Sequence, residues 1–222
     1  MSKTIKPVVE IEEIIPSEKY WKIKGTDSQG KDFSYRVFAD LTGPMNLETQ
    51  LPEFYEQQKQ KGNPTPANSI QIFNIMDHAV TSKNASLINH LHTTFRRNYI
   101  RALSVASYSS IKSENRIIHN YNTSDEFFEQ GIILGPDGNV NNLNLKQRKA
   151  LDLILKQKDL RILNKVSQAI NQTPFYLWRL NSNLSEKIQR GVGFDADANG
   201  FSVDADWDLS DSDPAVRVLR EK

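Results

Sequence analysis

The chain contains no cysteine. Disulfides, thiol catalysis and cysteine-ligated zinc are therefore excluded, and a reducing compartment suits the composition. It has no apolar run approaching 18 residues, so nothing in it reads as a membrane span. The opening residues, MSKTIKPVVEIEEII, carry Glu10, Glu12 and Glu13 inside their apolar stretch, which does not fit a signal peptide. The formal net charge is only +1, leaving no global field to select a nucleic acid or a membrane. The motifs GxSxG and HExxH, a phosphate-binding glycine loop and a dinucleotide fingerprint are also missing, as are fixed-period repeats and low-complexity tracts. A soluble, cytoplasmic protein without a membrane role is the expectation.

What remains is the composition of a folded protein. Of 222 residues, 38% are hydrophobic and 25% charged, enough for one large domain or two small ones. We expect a single α+β domain over 1–222. The alternative places an internal boundary near 62–68, where NPTPANS carries two prolines that bias their neighbours away from helix.

Periodicity divides the chain into three parts. YWKIKG and DFSYRVF, joined by turn residues, predict an N-terminal β-hairpin pairing Tyr20–Lys24 with Phe33–Phe38. The central part is read mainly as helix. NSIQIFNIMDHAVTS puts Ile70, Phe73, Met76 and Val80 on one broad side, and NASLINHLHTTFRRNYIRALSVA continues as a second helix through Ala106. RIIH reads as a short strand. Asn144 and Gln147 form a capping box before LKQRKALDLILKQ, and Leu160, Leu163, Val166 and Ile170 are helically spaced. The last fifty residues turn to β and predict an antiparallel meander, packed on helices, over 175–181, 187–198, 201–209 and 215–220.

Charge is segregated along this last third. Between Asn141 and Arg190 ten Lys or Arg stand against three acids, a net +7. Between Gly191 and Asp213 lie seven aspartates and no Lys or Arg, a net −7. The two blocks are expected to face each other or share one surface.

The acidic block contains GFDADANGFSVDADWD. Asp195, Asp197, Asn199, Gly200 and Asp206 match positions of a helix-flanked calcium loop. The twelfth position is Asp rather than Glu, Ser202 stands where an aliphatic residue belongs, and both flanks alternate. A β-hairpin turning at Asn199-Gly200 explains the same residues better. It would put Phe194, Phe201, Val203 and Trp207 on an apolar face and set Asp195 directly across from Asp204. Like charges so placed need an offset. No cofactor is expected, with a divalent cation on Asp195, Asp204 and Asp206 as the one alternative. A basic protein partner is another.

Other site candidates are weaker. His90 and His92 would diverge on a helix, leaving His90, Thr94, Arg97 and Arg101 as a polar stripe with anion-binding capacity. VSQAINQTPFYLWRLN resembles a helix-turn-helix over 160–180, with Arg179 outward as a further anion-binding candidate, although FYLWRL favours a strand. His119, at a strand end before Asp125 and Glu126, is the one candidate general base. With no catalytic motif, the leading expectation is a non-enzymatic binding protein using its basic (141–190) and acidic (191–213) surfaces toward a protein partner. The alternatives are a metal-dependent or histidine-based hydrolase using His119 and the C-terminal aspartates, and DNA binding through 160–180.

Overall fold

Aromatic and β-branched residues after Glu18 build the expected hairpin and extend it. In the computed structural model, which describes residues 10–15, 18–26, 30, 32–135, 138–180 and 184–221, β1 (Glu10–Ile15), β2 (Glu18–Thr26) and β3 (Asp32–Leu41) are consecutive antiparallel strands. Tyr20 pairs with Phe38 and Lys24 with Ser34, matching the expected span. The chain then forms α1 (Gln50–Lys61), β4 (Thr65–Pro66), α2 (Ser69–Thr81), α3 (Ala85–Arg97), β5 (Ile100–Tyr108), β6 (Arg116–His119) and β7 (Phe127–Gln130). It continues with β8 (Gly138–Asn139), α4 (Leu145–Leu155), α5 (Leu160–Ile170), β9 (Phe175–Arg179), β10 (Ile188–Ala196), β11 (Phe201–Trp207) and β12 (Val216–Arg220). This is an α+β fold with two sheets. None of the described helices is long and apolar enough to cross a membrane.

One sheet has the order β1-β2-β3-β12-β4 and the other β7-β6-β5-β10-β11-β9-β8. Helix α2 packs against β2 of the first and β5 of the second. Its Ile72, Phe73, Ile75, Met76 and Ala79 are all buried, as a helix with cover on several sides requires. Its start is fixed by a reciprocal capping box between Asn68 and Gln71, the same device found at Asn144 and Gln147 before α4. Each satisfies backbone N–H groups that the first helical turn leaves without partners.

The C-terminal strands form where expected, with a different connectivity. Only β10 and β11 are sequential antiparallel neighbours. β9 joins β11 in parallel, and β12 crosses to pair with β3 and β4. The helix expected through Ala106 stops at Arg97, and Ile100–Tyr108 is the central strand β5, buried along its whole length. A strand covered on both faces loses the polar–apolar alternation that marks a half-buried one.

Alternation and register settle the two faces of the seven-stranded sheet. Ala102, Ala106, Phe194, Val203 and Leu177 belong to the large core with α2, α3, α4 and α5. On the other face, Leu103, Val105 and Ile118 pack beneath Leu51 and Tyr55 of α1. Helix α1 covers one half of that face. The half formed by β9, β11 and β10 carries Tyr176, Trp178, Ser202 and Asp195 instead.

Candidate functional site

The β10–β11 hairpin has the expected apolar face but not the expected register. Ala196 pairs with Phe201, Asp195 with Ser202 and Gly193 with Asp204. Asp195 and Asp204 are therefore diagonal neighbours. The turn is longer because Asp197 organises it: its Oδ1 accepts hydrogen bonds from the backbone N–H of Asn199 (2.7 Å) and Gly200 (2.8 Å). Its own N–H donates to the Gly200 carbonyl at 2.9 Å. The slip is two residues, so each side chain keeps its face. Beyond Asp204 the pairing shifts, and Gly191 pairs with Trp207. This bulge lays the Trp207 ring against Gly193, where an added Cβ would sit 2.1 Å from the ring. Trp207 thus leaves the apolar face expected for it, while Phe194, Phe201 and Val203 are fully buried there.

Phe175–Arg179 is a strand. The second helix needed for a helix-turn-helix over 160–180 is not present, and the two outward positions of this strand become part of the open face. Tyr176 pairs with Ser202 and Trp178 with Asp204. The rings of Tyr176 and Trp178 are nearly parallel, 7° apart in plane with centroids 5.8 Å apart. Tyr176 also closes over Gly200, where a Cβ would come within 2.8 Å of its ring. A cleft of about 220 Å³ opens here between these two rings and the carboxylates of Asp195 and Asp197, with Asn199, Gly200 and Ser202 completing its wall. Asn171 clamps the turn by donating to the carbonyls of Asp197 (2.8 Å) and Gly200 (3.0 Å). The cleft rim is therefore tied to the end of α5.

Among the described residues the cleft wall has acids and no Lys or Arg. Burial pushes the Asp195 carboxyl above its ordinary range, and the Asp197 charge adds to the push, against a backbone hydrogen bond from Ala196. Asp204 is buried beside the cleft and accepts from Ser202 Oγ at 3.2 Å. Asp206 is exposed. Among the described residues no group of three or more His, Asp or Glu is placed to hold a metal ion, so Asp195, Asp204 and Asp206 do not converge on one point.

His119 occupies the opposite face. It is fully buried, and its Nε2 lies 3.1 Å from the Leu153 carbonyl. A carbonyl accepts only, so Nε2 carries the proton and Nδ1 is an acceptor. Ser104 Oγ lies 3.0 Å from Nδ1 and donates to it, while accepting the Ser69 backbone N–H at 3.1 Å. Ser69 Oγ donates to the Ile154 carbonyl at 2.7 Å. The serine–histidine arrangement is closed on itself within the core and ties β5, β6, α2 and α4 together. His119 and Asp195 stand on opposite faces of one sheet, so a hydrolytic site joining His119 to the C-terminal aspartates is not formed. Burial lowers the His119 pKa to about 4, opposed by the Leu153 hydrogen bond and aided by Lys156.

The three arginines expected to bind anions are scattered. Arg97 is exposed at the end of α3. Arg101 is on β5, fully buried, and paired with Asp213 at 2.6 Å. Arg179 is buried on β9 and donates to the Ile133 carbonyl at 2.9 Å. His90 stacks on Trp21 with ring centres 4.6 Å apart, and His92 lies 2.7 Å from the Ile170 carbonyl, so the pair diverges as a helix dictates. Of the basic and acidic blocks, Arg190 and Asp208 form an ion pair across the boundary. Tyr176 and Trp178 were not singled out by charge or motif. Their signal was the alternation in FYLWR, which fixes both on one side once the segment is a strand.

Searches against protein-family models, curated proteins and solved structures return no match to this chain.

Proposed function

We propose that this is a non-enzymatic binding protein whose acidic, aromatic cleft on β9, β10 and β11 receives a cationic side chain, Arg or Lys, from a protein partner. The observation that carries this reading is the pairing of two parallel rings with two carboxylates in a wall that, among the described residues, holds no cation. A guanidinium or ammonium group gains from an aromatic face by about 0.5–2 kcal/mol, and a neighbouring carboxylate adds a charge-assisted hydrogen bond. Burial and the Asp197 charge disfavour the Asp195 anion, and an arriving positive charge would offset that cost. Exposed Lys146 and Lys149 on α4, Lys158 in the loop after it, and Arg161 and Lys165 on α5 supply a separate basic surface, which would steer an acidic part of the same partner.

Titration with N-acetyl-arginine amide, N-acetyl-lysine amide and N-acetyl-glutamine amide tests it. Trp178 is 42% exposed, so its fluorescence reports the occupant. The cationic amides are expected to bind saturably and the glutamine amide not. Trp178→Ala and Asp195→Asn should each abolish the response to calorimetry, while Lys146→Gln leaves it intact. Equal binding of the glutamine amide, or full binding by Trp178→Ala, would sink the proposal.

A further inference from the structure

A second concavity lies between β12, the end of α1 and the 120–127 loop, and unlike the first its wall carries cations, Lys59, Lys156 and Arg220, among its acids. β4 is two residues long and pairs only with Arg217 and Val218 of the five-residue β12. The rest of β12 has β3 on one side and, among the described residues, no strand on the other. The Glu221 N–H bonds to Ser34 of β3, so by alternation the Arg220 main chain faces away from β3, into the gap. That gap is a groove of about 920 Å³ reaching from the end of α1 to the 120–127 loop. A smaller cavity of about 260 Å³ against β3 shares Gln71, Asn120, Phe127 and Arg220 with it, so the two are continuous. The volume falls within the range of sites that enclose small organic ligands.

The charges in this wall are nearly all used. Asp125 accepts from Tyr55 Oη at 2.6 Å and pairs with Lys59 at 2.7 Å. Glu126 takes the Asn122 N–H at 2.8 Å, and Glu129 pairs with Lys156. Glu221 is held by Lys22 and Arg36, and Asp32 accepts from Thr26. Arg220 lines both cavities and, among the described residues, makes no side-chain hydrogen bond or ion pair, though its charge acts on Asp125 without direct contact. Beside it Phe127 is 41% exposed despite its place in a strand, a flat apolar surface at the junction of the two cavities. Asn63 and Gln71 add amides to the wall.

We infer that this groove binds a small organic anion, its carboxylate or phosphate on Arg220 and its apolar body against Phe127. Arg220 matches either group because a guanidinium offers a planar pair of donors that both accept. The acidic cleft on β9 plays no part in this, and the two sites fail or stand separately.

The probes are phenyl phosphate, benzoate and the uncharged benzyl alcohol, followed by ligand-observed NMR and calorimetry on the full chain. Phenyl phosphate or benzoate should bind saturably and benzyl alcohol should not; which anion binds more tightly distinguishes a phosphate site from a carboxylate site. Arg220→Gln should weaken the preferred anion by about tenfold or more, the scale of one charge-assisted contact, with Arg220→Lys retaining part of it. Phe127→Ser should weaken it less, and Trp178→Ala not at all. Thermal melting of each variant separates lost binding from lost fold. No saturable binding of either anion to the unaltered chain, or an Arg220→Gln variant that binds as well, would overturn the inference.

Discussion

The Arg101 guanidinium rests on the face of the Trp207 indole, 4.9 Å from its centroid. Both lie flat against the backbone of β10, where Gly191 and Gly193 leave room. A Cβ on Gly191 would come 2.4 Å from Arg101 Nη1, and one on Gly193 would come 2.1 Å from the Trp207 ring. The guanidinium is fully buried and cannot give way cheaply, and the half-buried Trp207 ring is backed by it. Gly193→Ala and Gly191→Ala should therefore each destabilise the fold by roughly 1–3 kcal/mol or more. Chemical denaturation measures this; a cost within a few tenths would mean the ring and guanidinium move freely.

The same arginine depends on one carboxylate. Desolvation lowers the Arg101 pKa, and Asp213 works against it through charge and a 2.6 Å hydrogen bond. Arg101 Nη2 also donates to the Asp211 carbonyl at 3.1 Å, while Nε and Nη1 are buried with no hydrogen-bond partner among the described residues. Asp213→Asn leaves a buried cation with less compensation and should cost about 3 kcal/mol. Asp40→Asn, on an exposed carboxylate that meets Arg217, should cost under about 1 kcal/mol. Similar losses at the two positions would contradict this assignment.

Two buried histidines set the acid side of the stability curve. Burial lowers the pKa of both His78 and His119 from 6.5 to about 4. Between those values the unfolded chain binds protons that the folded chain refuses, so stability falls as pH drops from about 6.5 to about 4 and then levels. Above 6.5 both states are neutral and the full stability is present. Each histidine contributes a loss on the order of 3 kcal/mol. Among the described residues the buried His78 Nε2 has no hydrogen-bond partner, and its ring stands edge-on to Phe33. His78→Phe should flatten the slope across this window, as seen in midpoint denaturant concentration against pH.

How much of this could be read from residues alone depended on how many faces each element covers. The β2–β3 pairing and the Asn144 capping box were legible because turn chemistry and caps are local. The face of Phe194, Phe201 and Val203 was legible because strict alternation survives a two-residue slip. β5 was read as helix because ALSVAS is small, tolerant of helix and buried on both sides. Helix α1 went unseen because Pro52 sits in its first turn and few apolar residues mark it, although a first-turn proline breaks no helical hydrogen bond. The destination of β12 in the other sheet is a long-range choice with no local mark. The aromatic half of the cleft had the same difficulty: Tyr176 and Trp178 meet Asp195 only because β9 lies parallel beside β11.

Calcium offers a direct check on the DADANG turn. A bound metal at about 100 times its dissociation constant would add roughly 2.7 kcal/mol of stability. Asp197 is committed to the turn N–H groups and Asp195 lies across from Ser202. Saturating calcium, magnesium or zinc should leave the melting temperature unchanged; an upward shift lost in Asp195→Asn would establish a metal site.

Asp195 itself should show opposed effects on stability and binding. Its carboxyl is pushed up first by burial and then by Asp197, so at neutral pH the folded state carries a charge it disfavours. Asp195→Asn keeps the shape and removes that charge, and should stabilise the protein by about 0.5 kcal/mol or somewhat more. The sign follows from linkage. A carboxyl with a raised folded-state pKa lowers stability above that pKa, and the penalty disappears as pH falls below the unfolded value. The gain from Asp195→Asn should accordingly be present at pH 7 and vanish near pH 3.5. The same variant should lose binding of N-acetyl-arginine amide, because the cation that offsets the Asp195 charge no longer has it to meet. Paired denaturation and titration at both pH values resolve the matter: a variant that is less stable at pH 7, or more stable and still binding, would remove Asp195 from the cleft's chemistry.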